Sequence, residues 1–115
     1  MRRVVWLVAL ALLIAPPARA DTVRASWYGG GERLAAHTSS GERFDPRALT
    51  AAHRSLPFGT RLRVTFHGRS AIVRVNDRGP AAYTGRALDL SAGAAEAIGL
   101  KRAGSGAVEI EIVSK

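Results

Sequence analysis

Cysteine is absent from the 115 residues, so no disulfide can staple the fold and a closed sheet or a well-packed core must hold it. The same absence excludes lipid attachment to a cysteine at a mature N-terminus. Histidine is scarce too: His37, His53 and His67 stand at none of the spacings that gather metal ligands, and neither a metal nor a cofactor is expected. Aromatic residues make up only 6%, few for a module that binds sugars by stacking alone. Basic residues are numerous but scattered and not interleaved with aromatics, which argues against a nucleic-acid surface.

Long apolar runs are also missing. The longest, Val4 to Ala15, has twelve residues, short of the roughly 20 that cross a hydrocarbon core. It follows Arg2 and Arg3 and precedes Pro16, Pro17 and the small-x-small pattern Ala18-Arg19-Ala20, which together read as a cleaved Sec-type signal peptide over residues 1–20. The expected product, residues 21–115, is one small domain, periplasmic or secreted, without a transmembrane span and monomeric. Cleavage leaves fourteen basic against nine acidic side chains, a net charge of +5, and the polyanions outside the membrane are the cell wall and lipid headgroups.

What is present is alternation over short stretches. Thr22 to Tyr28 holds Val, Trp and Tyr and reads as a strand that Gly29-Gly30-Gly31 ends; the polar stretch to Gly41 has no period and reads as a functional loop. Leu49 to His53 is a short strand candidate. Arg61 to Phe66 and Arg69 to Val75 alternate around His67-Gly68, which predicts a hairpin with Leu62, Val64, Phe66 and Ile72 toward one core. Asn76 to Pro80 reads as a turn, and Ala87 to Leu90 as another strand. Ser91 then caps a helix from Ala92 to Ile98, with Gly99 as its stop. Gly104 to Gly106 is a turn before a half-buried strand, Ala107 to Val113, with Val108, Ile110 and Ile112 on one face. About six short strands and one helix favour a small closed barrel, because closure removes exposed edges.

Six ordered blocks then narrow the reading: Ala25-Ser26-Trp27-Tyr28-Gly29, Ser40-Gly41-Glu42-Arg43-Phe44-Asp45, Leu49-Thr50-Ala51-Ala52-His53, Leu56-Pro57-Phe58-Gly59-Thr60, Val75-Asn76-Asp77-Arg78-Gly79-Pro80 and Asp89-Leu90-Ser91. In order and spacing they resemble the RlpA-like lytic transglycosylases. The resemblance implies a mainly β fold, a six-stranded double-psi β-barrel with one or two short helices, acting on peptidoglycan glycan strands. It further implies that Asp77 is the general acid and base, with Glu42 and His53 as further catalytic positions.

The chemistry suits such residues. Breaking a glycosidic bond needs a proton on the leaving oxygen while the ring gains oxocarbenium character. Lytic transglycosylases, as the resemblance implies, use the C6 hydroxyl of the N-acetylmuramic residue as nucleophile and leave a 1,6-anhydro end, so one carboxylate can suffice. Tyr28, Arg78 and Asp89 are candidate substrate-binding residues. Each residue also has a plain structural alternative: Asp77 and Arg78 as turn residues, Glu42 as a solvated loop acid, His53 as a core histidine, Asp89 as the organiser of a strand-to-helix junction and Trp27 as core.

The loop before Ser40 departs from the family pattern, with Ala35-Ala36-His37-Thr38-Ser39 in place of a Thr-Ala-Asn-Gly motif. The lipid-modified cysteine and the glycan-targeting SPOR module of longer members are not in this sequence, so its own groove and charge, or an envelope protein partner, must find the substrate. Two other classes remain open: a non-catalytic, expansin-like glycan-binding or wall-loosening module, and an exported inhibitor or accessory protein.

Overall fold

The computed structural model describes residues 20–32 and 34–115; the signal peptide expected over residues 1–20 lies, except for Ala20, outside the described residues. Among the described residues there are six strands, β1 (Asp21–Tyr28), β2 (Thr50–His53), β3 (Arg61–Phe66), β4 (Arg69–Asp77), β5 (Leu88–Ser91) and β6 (Ser105–Ser114), with a 3-10 turn at Ala82–Thr84 before β5 and one helix, α1 (Ala92–Ile98), between β5 and β6. The strands close into a barrel in the order β1-β5-β2-β4-β3-β6, with β6 returning to β1. β1/β5 and β2/β4 are parallel and the other pairs antiparallel. This is the six-stranded double-psi β-barrel that the sequence led us to expect. Among the described residues no helix is long and apolar enough to cross a membrane.

The β3/β4 hairpin shows how local chemistry sets the register. His67 (φ 48°) and Gly68 (φ 83°) both lie at positive φ, the geometry that matches a two-residue turn to the right-handed twist of its strands. The pairing places Leu62 opposite Val73 and Val64 opposite Ala71, with Leu62, Val64, Phe66 and Val73 buried. Ile72 therefore does not join the core as expected. It lies opposite exposed Arg63 and is 39% exposed, since the period of two leaves only one of Ile72 and Val73 inside.

Other boundaries shift by one or two residues. β4 runs through Asn76 to Asp77 where a turn was expected, β5 is Leu88–Ser91, and β6 starts at Ser105, inside the expected turn. Val108 is buried as foreseen, whereas Ile112 sits toward the free end of β6 and is 44% exposed.

Leu62, Leu88, Leu90, Val64, Val73, Val75 and Val108 fill the barrel, and Ile98 and Leu100 extend the core under α1. Each such burial stabilises by roughly 1.5–3 kcal/mol, the term that must offset chain entropy in a domain without disulfides. Ser91 caps α1 as expected: its Oγ accepts from the N–H of Ala94 at 3.1 Å and donates to the carbonyl of Ala48 at 2.6 Å. The helix lays Ala94, Ala95 and Ile98 on the core and ends at Gly99.

Candidate functional site

The site forms where β1, β2, β4 and β5 present one row of side chains to the outside of the barrel. In the pairing, Asp77 of β4 lies beside Ala52 of β2, Ala52 beside Asp89 of β5, and Asp89 beside Ser26 of β1. Paired residues on adjacent strands share a face, so Asp77, Ala52, Asp89 and Ser26 point the same way. Two strand spacings separate the acids, about 10 Å between their backbones. Ala52 is buried yet stands apart from the core cluster that contains Ala51, as expected of a residue on the opposite face.

Asp77 reaches this row through an irregularity. Ala51 pairs with Val75 but Ala52 pairs with Asp77, so Asn76 is an extra residue in β4. Without it, alternation from buried Val75 would turn Asp77 inward; the bulge turns it out, a common device beside functional sites.

Three donors hold the Asp77 carboxylate. The backbone N–H groups of Ser39 and Arg78 each donate to Oδ1 at 2.9 Å, and the Tyr28 hydroxyl donates to Oδ2 at 3.3 Å. Burial, and then the Asp77 carboxylate beside it, push the Tyr28 phenol well above its ordinary value of 10.0, so Tyr28 stays a donor. Its ring stacks on Phe44, with centroids 5.1 Å apart and planes 16° apart. Tyr28, Phe44, His37, Ser39, Leu34 and Asp77 line a cleft of about 310 Å³.

Glu42 is brought beside Asn76, the neighbour of Asp77 in β4. Its carboxylate accepts from Arg74 Nη1 at 2.9 Å and from Asn76 Nδ2 at 2.5 Å, and these bonds, Arg74 first, hold it below the usual carboxylate range. With the N–H of Ser40 donating to the carbonyl of Asn76 at 3.2 Å, Glu42 pins the 37–43 loop onto β4 and so presents the Ser39 N–H to Asp77.

His53 sits at the end of β2, its ring turned to its own chain. Nδ1 accepts from the N–H groups of Ser55 and Leu56, both at 3.1 Å. Burial, then the charges of Arg54 and Arg78, lower its pKa, which favours the neutral ring that these two bonds to Nδ1 require. Arg78 Nη1 donates to the carbonyls of Leu56 at 2.7 Å and His53 at 3.2 Å, and its guanidinium covers the Phe58 ring at 3.9 Å. His53 and Arg78 thus both hold the 53–56 turn, and Arg78 ties it to Asp77 through its own N–H.

Asp89 is the other carboxyl of the row. Burial raises its pKa, opposed by the Ser26 hydroxyl, which donates to Oδ1 at 2.8 Å, and by Arg86 at 3.9 Å. Arg86 also bonds the Ser26 hydroxyl. Among the described residues no three His, Asp or Glu side chains gather to hold a metal ion. Reading the sequence had given no role to Ala52, Ser39, Arg74 or Phe44; Ala52 and Phe44 stood inside recognised blocks, while Ser39 and Arg74 carried no signal.

Residues 20–110 match the family model described as lytic transglycolase. The chain belongs to this RlpA-like family. Two curated relatives, both described as probable endolytic peptidoglycan transglycosylase RlpA, come from Nostoc sp. (55% identical over 95 residues, 79% of this chain and 25% of the relative) and Synechocystis sp. (58% over 92 residues, 77% and 28%). The chain therefore spans about a quarter of the length of these relatives. Among solved structures, the Streptomyces papain inhibitor has the same fold, with a TM-score of 0.66 at 19% identity over 84% of this chain and 97% of the other.

Proposed function

We propose that the chain is a peptidoglycan lytic transglycosylase that cleaves between N-acetylmuramic acid and N-acetylglucosamine and leaves 1,6-anhydro ends. The observation that carries this reading is Asp77: a carboxylate turned outward by a bulge, fixed by three donors and opening into a cleft. Asp77 delivers a proton to the leaving oxygen and then takes one from the C6 hydroxyl of the muramic residue, so the reaction consumes no water. Its Oδ2, held only by the longer Tyr28 bond, is the oxygen that faces substrate. Such proton management is worth roughly 10²–10⁴-fold in rate. Glu42, His53 and Arg78 act as positioning residues for the loop and turn that hold Asp77, while Tyr28 both positions Asp77 and walls the cleft.

Peptidoglycan lies outside the cytoplasmic membrane, and the charged start, apolar run and Ala18-Arg19-Ala20 of residues 1–20 supply an export route to it.

The test is to incubate the purified chain with sacculi and with stem-free glycan strands and to detect anhydromuramic ends by mass spectrometry. Products lost in Asp77→Asn support the reading. One further observation favours a variation: Asp89 is the acid whose burial favours its protonated form. If Asp77→Asn still forms anhydro ends and Asp89→Asn does not, the proton belongs to Asp89. If the wild-type chain binds glycan and forms no ends, an expansin-like binding module replaces the enzyme.

A further inference from the structure

Strand β1 carries two neighbouring aromatics, and the pleat sends them to opposite faces. Tyr28 walls the Asp77 cleft; Trp27 turns toward the core and floors a different groove, of about 640 Å³, bounded by Arg69, Glu96, Gly99, Lys101 and Arg102. The two depressions share no lining residue.

The groove has an aromatic floor and a cationic rim. Trp27 Nε1 donates to the carbonyl of Lys101 at 3.1 Å, so the polar edge of the indole is already satisfied. Gly30 crosses the benzo ring so closely that a Cβ there would stand 2.5 Å from it, which fixes the ring in place. Lys101 Nζ lies 5.5 Å from the ring centroid and only loosely engages Glu96, at 3.8 Å. Arg69 donates to the carbonyl of Ala97 at 3.1 Å and stands along Gly99, while Arg102 has no partner among the described residues. Three cations face one acid around an indole.

That combination selects a ligand. A neutral sugar would use the indole and leave the cations idle, and a phosphate polymer would use the cations and leave the indole idle. A pyranose bearing a carboxylate close to its ring uses both, with its C–H face on the indole and its carboxylate on Lys101 and Arg102. We propose that this groove is a second glycan site, which holds an N-acetylmuramic residue through its free lactyl carboxylate. The proposal rests on the reading that peptidoglycan glycan is the substrate. The groove grips the strand away from the bond that Asp77 cuts, and because the lactyl group is an amide wherever a stem peptide is attached, it favours peptide-free strands.

The test uses the Asp77→Asn chain, so that strands are not consumed, with and without Lys101→Gln and Arg102→Gln together. Both side chains are exposed, and melting temperatures check that the fold is kept. Binding is measured by calorimetry to stem-free glycan strands, to peptide-bearing strands and to chitin oligosaccharides, which lack the carboxylate. The expected result is a roughly tenfold weaker affinity of the double variant for stem-free strands alone, the loss of a charge-assisted contact. Unchanged affinity in the double variant, or parental affinity as high for chitin or peptide-bearing strands, overturns the proposal. Anhydro-end formation by the wild-type chain is assayed in parallel. Cleavage with no effect of the double variant overturns the groove and leaves the enzyme; a binding loss without cleavage by any chain supports the groove and overturns the enzyme.

Discussion

The Tyr28 hydroxyl donates to Asp77 Oδ2 across 3.3 Å, a bond between the first and fourth strands that joins residues 49 apart in sequence. It links the wall of the cleft to the group proposed to handle the proton. Tyr28→Phe keeps the stack on Phe44 and deletes only this donor. The expected outcome is a stability loss of about 0.5–1.5 kcal/mol, read from chemical denaturation, together with roughly tenfold slower formation of anhydro ends.

Glu42 predicts how the loop behaves. Glu42→Ala removes the acceptor of both Arg74 and Asn76, so the 37–43 segment should lift from β4. Trypsin should then cut faster after exposed Arg43, and KM should rise more than kcat falls. Acid should mimic the change: because the folded-state pKa lies below 4.5, the contact is complete above that value and is lost as pH falls through the lowered one.

His53 predicts a pH dependence of stability. Its folded-state pKa is below the ordinary 6.5, so the unfolded chain takes up the proton first as pH falls. Melting temperature should hold above about pH 7 and decline below 6.5 toward the lowered folded value, as protonation of Nδ1 turns the Ser55 and Leu56 N–H groups from partners into orphans. In His53→Asn that part of the pH slope should vanish.

The barrel was legible because alternation survives wherever one face is buried: β3 runs from Arg61 to Phe66 as read, and Ser91 caps the helix. The six blocks named the residues at the site but not their arrangement. The bulge at Asn76 is an event between β2 and β4, invisible within either strand, and it decides where Asp77 points. Glu42 was named by the resemblance, but its partners stayed hidden because Arg74 and Asn76 lie 32 and 34 residues away, beyond any local pattern. Ile72 was misplaced for a related reason, since the sequence Ala71-Ile72-Val73 is apolar at both phases and only the pairing with β3 chooses between them.

Gly93 tests how tightly α1 seats. Its N–H donates to the carbonyl of Pro46 at 2.7 Å, and a Cβ at this position would lie 2.4 Å from the carbonyl oxygen of Arg47. Backbone cannot yield as a flexible side chain would. Gly93→Ala should cost about 1–3 kcal/mol by overpacking, and since each kcal/mol is worth about 4–8 °C in a domain of this size, the melting temperature should drop by at least 4 °C.

The antiparallel closure of β1 on β6 sets where any attachment to the barrel must depart. Asp21 pairs with Ile110, and β6 runs on past it to Ser114, so both ends of the sheet leave from the side where β1 begins. Tyr28, at the far end of β1, is seven residue steps or about 24 Å away. A leash fixed at either end therefore leaves from the side opposite Tyr28 and holds the barrel without lying across the cleft.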